Sequence, residues 1–346
     1  MLSAHPSASQ VPDVVVLGAG LIGLAIALEL SDRGATVTVI DRGRSLGGAS
    51  TAAAGMLAAE DPSNPPELQP LSRLSAARYP AFLRRIEELS GIAVPFQTET
   101  TVQYLADGST LRLAEKSIDP RQLAAALLAA VKATPVRLLE DTHIVALDDS
   151  SPNLKIRLSS GPAITTQALI YAAGAWTSEL MIALESDPVS IAPRKGQMLR
   201  VRLPSALNEV HRSERIYIVP RTCGPQAGTA VIGATLENVG FDTTVHADDL
   251  DALRALAAEL LPELASKAEA PTVESWAGLR PSTPDMLPVL GACARAGQFI
   301  ASGHYRNGIL LAPGTALVMA DLLEGKPPII DLSPLSPLRF AAAVTA

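Results

Sequence analysis

The sequence predicts an α/β fold, a doubly wound parallel sheet interrupted by an antiparallel one. Three observations carry this. Residues 14–41 read as strand, glycine turn, helix and second strand. Residues 189–240 change to short strands broken by Pro and Gly. Residues 297–323 return to a buried strand and an apolar helix.

The first unit is the most informative. Val14-Val15-Val16-Leu17 is a short apolar strand running into Gly18-Ala19-Gly20-Leu21-Ile22-Gly23. In such a turn Gly18 makes the tight bend and Gly20 lets a diphosphate approach the backbone. Gly23 lets the helix pack closely on the strand. The diphosphate then lies over free N–H groups at the helix start. The second strand, 36–40, ends in Asp41, where a ribose 2′-hydroxyl needs an acceptor. In this register the pieces predict a Rossmann-like dinucleotide-binding domain.

The remaining elements follow in order. The first helix spans 21–31. Residues 45–60 are rich in small residues, with Ala49, Ser50, Ala54 and Gly55 leading to Met56, and suit a loop whose backbone passes close to a flat ligand. Residues 61–70 are a Pro-rich loop, and 71–89 read as a helix kinked at Pro80. Asp119-Pro120 starts a helix over 121–131. Residues 136–147 and 154–170 read as strands around a polar loop with Asp148 and Asp149. The strand at 168–172 ends in Ala173 and Gly174, at the strand end where ligands lie in such sheets. Short strands follow at 215–219 and 230–233, then a helix over 247–260 opened by Asp248-Asp249. A strand at 297–301, a turn at 303–308 and a helix to 323 complete the pattern. The expected organisation is a discontinuous cofactor domain (11–90, 115–188, 285–330) around a substrate domain (91–114, 189–284), after a disordered tail at 1–10.

Composition narrows the class. With 48% hydrophobic residues in 346, the chain can bury a large core and is not disordered. A net charge of −7 without a basic stripe argues against nucleic acid as a partner. Cys223 and Cys293 form neither a disulfide framework nor a CxxC pair. Residues 1–10 do not read as a secretory signal and no segment reads as a membrane span, so the expected location is cytoplasmic. The histidines are scattered and predict no metal site.

Sequence physics alone does not separate FAD from NAD(P). The four glycine-rich approaches, 18–23, 47–56, 172–174 and 303–308, favour a large, extended, buried cofactor. Arg280 and Arg306 each sit in a short polar element beside apolar sequence. A guanidinium there can clamp a planar carboxylate in two-pronged fashion. His304, in the Gly-His-Tyr-Arg turn, reads as a structural or cofactor contact rather than a general base.

These residues carry a resemblance. Val-Leu-Gly-Ala-Gly-Leu-Ile-Gly at 16–23, Ser-Thr-Ala-Ala-Ala-Gly-Met-Leu at 50–57, Ala-Ala-Gly-Ala-Trp at 172–176, Tyr-Ile-Val-Pro-Arg at 217–221 and Gly-Ala-Thr at 233–235 are part of it. Glu-Ser-Trp-Ala-Gly-Leu-Arg-Pro at 274–281 and Gly-His-Tyr-Arg-Asn-Gly-Ile-Leu-Leu-Ala-Pro at 303–313 are its most specific pieces. The chain resembles the ThiO-type, glycine oxidase branch of the D-amino-acid oxidase family of FAD-dependent amine oxidases. The resemblance spans residue 14 to about 325.

It implies non-covalent FAD and oxidation of glycine, sarcosine or small D-amino acids by hydride transfer to flavin N5. O2 then yields H2O2, and the imine of glycine feeds the thiazole ring of thiamine. It implies that Arg280 binds the substrate carboxylate, that Tyr217 assists it, and that Arg306 lines flavin and substrate. Leu236 stands where a pocket methionine is common. Leu21, Ile22, Asp41, Arg42, Ala49, Ser50, Ala54, Gly55, Met56 and Ile144 fall on FAD-contacting positions. So do His304, Tyr305, Arg306, Asn307, Gly308, Ile309 and Leu310. Ala173 and Gly174 join them as a second close approach. A homodimer or homotetramer is the expected assembly. The stretch 91–114 is shorter than the corresponding family segment, which bears on substrate choice and assembly. The alternatives are a sarcosine or D-amino-acid dehydrogenase with a non-oxygen acceptor, and a catalytically degenerate FAD-binding protein.

Overall fold

The computed structural model describes residues 13–343. The expected tail at 1–10 lies outside them. The strands expected at 14–17, 36–40, 168–172 and 297–301 join one six-stranded sheet. Its order is Val289–Ala292, Gln298–Ser302, Ala168–Tyr171, Val14–Leu17, Val37–Ile40, Arg137–Leu139. All pairings are parallel except the edge pair Val289–Ala292 with Gln298–Ser302.

Alternation along the central strand explains why it is apolar throughout. Val14 and Val16 face the helices Leu21–Asp32, Pro120–Lys132 and Gly308–Leu323. Val15 and Leu17 face Ile156, Tyr171 and Met181 on the other side. That side is covered by a three-stranded antiparallel sheet, Ile144–Asp148, Leu154–Leu158 and Ile164–Thr166. The two long strands expected at 136–147 and 154–170 are thus five shorter ones. Turn residues between them let the chain cross from the parallel sheet to its cover. Arg33 ties the ends of two helices by pairing with Glu29, Asp321 and Glu324.

The helix expected at 71–89 is Gln69–Ser90 and runs through Pro80. The helix expected at 121–131 is Pro120–Lys132, capped by the Asp119 carboxylate, which accepts from the Arg121 amide. The C-terminal helix Gly308–Leu323 contains Pro313. Proline lacks an N–H, so the Ile309 carbonyl one turn earlier loses its helical donor. The Tyr79 hydroxyl donates to it instead, at 2.5 Å. Ser75 bridges the next position, donating to the Leu310 carbonyl and accepting from the Gly314 amide.

The second large sheet has seven strands. Its order is Thr272–Ser282, Ala192–Arg202, Thr229–Gly233, Tyr217–Arg221, Val210–Arg212, Thr101–Tyr104, Thr110–Leu113. It is antiparallel except where Val210–Arg212 pairs with Thr101–Tyr104. The strand expected at 215–219 lies two residues later. Helix Ala247–Leu260, at its expected bounds, buries Leu253 and Ala257 against Leu199, Ile218 and Ile232 on one face. The other face carries Met198, Tyr217, Val219 and Val231 and turns toward Ala52 and Ala54. The stretch 91–114 folds as Phe96–Thr98 and the hairpin that forms the edge of this sheet.

Candidate active site

A cavity of about 910 Å³ lies where the parallel strands end and the inner face of the seven-stranded sheet begins. Gly18, Asp41, Ala173 and Ser302 line it from the first sheet. Met198, Tyr217 and Arg280 line it from the second.

The glycine turn is built by close packing. A Cβ at Gly18, whose φ is +116°, would fall 2.5 Å from the Ala172 carbonyl oxygen. A Cβ at Gly23 would fall 1.9 Å from the Gly18 oxygen. Gly23 therefore supports the turn from beneath and does not line the cavity. Gly20, Leu21 and Ile22 do line it. The amides of Gly20 and Ile22 have no protein partner among the described residues. Asp41 uses its carboxylate to shape the turn: it accepts the Ala19 amide at 2.7 Å and the Gly43 amide at 2.9 Å.

The small-residue loop is more ordered than its composition suggests. It holds a helical turn, Ala49–Ala52, and a short strand, Met56–Leu57. Ser50 accepts the Leu21 amide at 3.0 Å and so docks the loop on the first helix. Three donors grip its carbonyls. Arg121 Nε reaches Thr51, Trp276 Nε1 reaches Ala52 and Arg221 Nη2 reaches Ala54, the last at 2.8 Å. Burial pushes the Arg221 pKa down to about 10, with Asp119 opposing the shift. The amides of Ala54 and Gly55 have no protein partner among the described residues. Ala49, Ser50, Ala54, Gly55 and Met56 all line the cavity.

At the far end stand Tyr217 and Arg280. Tyr217 is buried, which raises its pKa against the lowering effect of Arg280 and Arg306, so the hydroxyl keeps its proton near neutral pH. Arg280 Nη1 donates to the carbonyls of Lys195 and Thr235 at 3.3 and 3.2 Å. No carboxylate among the described residues pairs with it. The 303–308 turn is stitched to the Arg280 strand by a bridge from Ser282 to His304 and by the Tyr305 amide, which donates to Pro281. This brings Arg306 to the same cavity, exposed at its edge. Asn307 donates to Asn64 across the cavity wall.

His304 is buried, and Nε2 lies 3.0 Å from the Thr315 hydroxyl. Burial pulls its pKa down to about 3, so it stands neutral at physiological pH. Tyr305, Gly308, Ile309, Ile144, Ala173 and Gly174 line the cavity, and Arg42 does so while lying 4.7 Å over the Trp176 ring. The glycine at 174 is required by its φ of +56°; a Cβ there would meet nothing within 4 Å. Leu310 does not line the cavity. Its side chain is in the helix core, because the first helical turn points it inward. Leu236 lines the cavity but is 62% exposed, so it stands on the rim.

A family profile described as "DAO: FAD dependent oxidoreductase" matches residues 13–117 and 108–322. The glycine oxidase of Geobacillus kaustophilus is 34% identical over 96% of this chain and 98% of its own. Its crystal structure superposes with a TM-score of 0.88 over 95% of this chain and 98% of that one. The bifunctional protein ThiO/ThiG of Trichormus variabilis is 33% identical over 90% of this chain and 52% of its own length.

The chain belongs to the DAO family of FAD-dependent oxidoreductases. It is an enzyme with FAD as cofactor. The cavity fits that group on its own evidence: its walls at both the glycine turn and the 54–55 loop carry backbone amides without protein partners among the described residues. Among the described residues no helix is long and apolar enough to cross a membrane. Sequence reasoning missed several members of this DAO-family site. Met198 and Arg212 line the cavity, and Arg212 stands directly opposite Tyr217 in the sheet. The three donors gripping the 51–54 carbonyls left no local signal. Gly196, which lies under the Arg280 guanidinium, did leave one: a glycine inside a strand often marks a close approach.

Proposed function

We propose that this enzyme is a glycine oxidase. It converts glycine, water and O2 to glyoxylate, ammonia and hydrogen peroxide, with sarcosine and D-alanine as related substrates. The observation that carries the reading is the shared cavity, which joins the glycine turn to the Arg280–Tyr217 pair. The identity to glycine oxidases along nearly the whole chain supports it.

When bound, FAD supplies the acceptor for the two electrons and hydrogen leaving the substrate Cα, and passes the electrons on to O2. Gly18, Gly20, Leu21, Ile22, Asp41, Arg42 and the 49–56 loop are read as its holders. Neither Cys223 nor Cys293 lines the cavity, which supports non-covalent binding. Arg280 is read as the clamp on the substrate carboxylate, a charge-assisted, two-pronged contact. Tyr217 keeps its proton and donates a hydrogen bond to the same carboxylate. Arg306 adds positive charge at the entrance. These groups orient the substrate Cα; no nucleophile is required of the protein. The imine product suits supply to the thiazole ring of thiamine, in keeping with relatives named ThiO/ThiG. The same reading includes a cytoplasmic, homo-oligomeric enzyme.

The test is spectroscopic. Glycine added without oxygen should bleach the visible flavin band, and air should restore it with one H2O2 per glycine consumed. Bleaching followed by dye reduction without H2O2 would favour a dehydrogenase. A spectrum unmoved by glycine, sarcosine and D-alanine would overturn the reading.

A further inference from the structure

We infer that Lys195 is a positioning residue for the carboxylate clamp, acting from the opposite face of the sheet through its ion pair with Glu237. The inference rests on the reading of Arg280 as that clamp.

Side chains alternate along a strand. In the Ala192–Arg202 strand, Met198 lines the cavity and Gly196, on the same side, lies under the Arg280 guanidinium, whereas Leu199 faces the helix-covered core and Lys195 and Gln197 share its side, Gln197 reaching Asp249 and His246 at that helix. Lys195 is fully buried there. Its Nζ lies 3.1 Å from Glu237 and 3.9 Å from Asp242. A lysine charge is costly to bury, and this one is offset by the Glu237 carboxylate as an ion pair, Nζ making no hydrogen bond of good geometry among the described residues. Glu237 collects two further donors, Gln197 Nε2 at 2.9 Å and the Thr235 hydroxyl. Burial raises the Glu237 pKa, but these hydrogen bonds and Lys195 outweigh it and hold it below the usual range. Gln197 also reaches Asp249 at 2.6 Å and accepts the His246 amide at 2.7 Å.

This cluster pins the segment 235–237 alongside 195–197. Lys195 and Glu237 exchange both backbone hydrogen bonds, at 3.1 and 3.0 Å. The Gln197 amide donates to the Thr235 hydroxyl at 2.8 Å. The two carbonyls that hold Arg280 Nη1 are those of Lys195 and Thr235, one from each side of the pinned pair. Leu236, on the cavity rim, lies between the two pinned residues of that segment. Lys195 therefore fixes the frame against which the guanidinium is placed, without touching the cavity.

The experiment uses FAD-loaded Lys195→Met and Glu237→Gln, which break the pair from opposite ends at nearly constant volume. Steady-state kinetics with glycine and spectral titration with glycolate, which keeps the carboxylate and lacks the amine, are compared in each. Each variant should raise KM and the glycolate Kd together by about tenfold, with kcat within about twofold and FAD content unchanged. Placed on Arg280→Ala, Lys195→Met should add nothing, because the clamp it positions is already gone. Normal KM and glycolate affinity in whichever variant folds would overturn the inference. So would an undiminished effect on top of Arg280→Ala. If Arg280→Ala alone binds glycolate normally, the clamp reading itself falls.

Discussion

The Tyr79 hydroxyl donates to the Ile309 carbonyl, the oxygen that Pro313 leaves without its helical partner. Both groups are buried, and Ile309 lines the cavity one residue after Gly308. Helix Gln69–Ser90 thus repairs the first turn of the C-terminal helix, the turn that follows Arg306 and Asn307.

Tyr79→Phe should therefore cost stability of about 1–3 kcal/mol, the penalty of a buried acceptor left unsatisfied. Thermal unfolding should shift down by about 1–4 °C, as the unfolding entropy of a chain this long sets, while the KM for glycine changes little. An unchanged Tm would mean that the helix start repairs itself.

The guanidinium of Arg280 lies flat over Gly196. A Cβ at that glycine would fall 2.2 Å from Nη2 and 2.3 Å from Nη1. Gly196→Ala should displace that guanidinium, and on the proposed reading raise KM for glycine by at least about tenfold, equivalent to about 1.4 kcal/mol of binding. FAD content should be retained, since Gly196 does not line the glycine turn. Loss of FAD with unchanged KM would contradict this placement.

The parallel sheet was legible because its central strands are apolar on both faces, a pattern that only a sheet covered on both sides requires. Helix Ala247–Leu260 was legible from its acidic first turn and its spacing. The strands Ala192–Arg202 and Thr272–Ser282 were not, because Pro193, Gly196, Gly278 and Pro281 read locally as breaks. Their reason is tertiary. A Cβ at Gly278 would fall 2.6 Å from the Ala52 Cβ, and Gly196 makes room for Arg280. The cavity-lining motifs were visible as motifs. Lys195 was invisible, since a lone lysine in sequence carries no sign that it will be buried against Glu237.

His304 provides a pH prediction. Its folded pKa is about 3, below the ordinary value of 6.5 that the unfolded chain recovers. Between those values the unfolded state binds a proton that the folded state refuses. Stability is then lost as pH falls from 6.5 toward about 3. His304→Gln keeps a partner for Thr315 and removes this titration, so its stability should fall less steeply with acid than the parent's. Parallel curves from urea melts at pH 4 to 7 would rule out a buried neutral His304.

The proposed reading places the control of substrate size at the far end of the cavity. On the proposed reading, Arg280 holds the carboxylate and Tyr217 stands beside it as a rigid, buried phenol. Leu236 is on the rim, 62% exposed, so it narrows the entrance rather than filling the site. Each added methylene costs only about 1–3 kcal/mol in such a pocket, so discrimination should be graded and not absolute. Glycine, sarcosine and D-alanine should all turn over, with kcat/KM for glycine well above that for D-phenylalanine. Leu236→Ala should narrow that gap by improving D-phenylalanine while leaving glycine nearly unchanged, because glycine has no side chain to meet the rim. A parent enzyme that prefers D-phenylalanine would show that the 91–114 stretch, whose hairpin forms the sheet edge, opens the site more than Leu236 closes it.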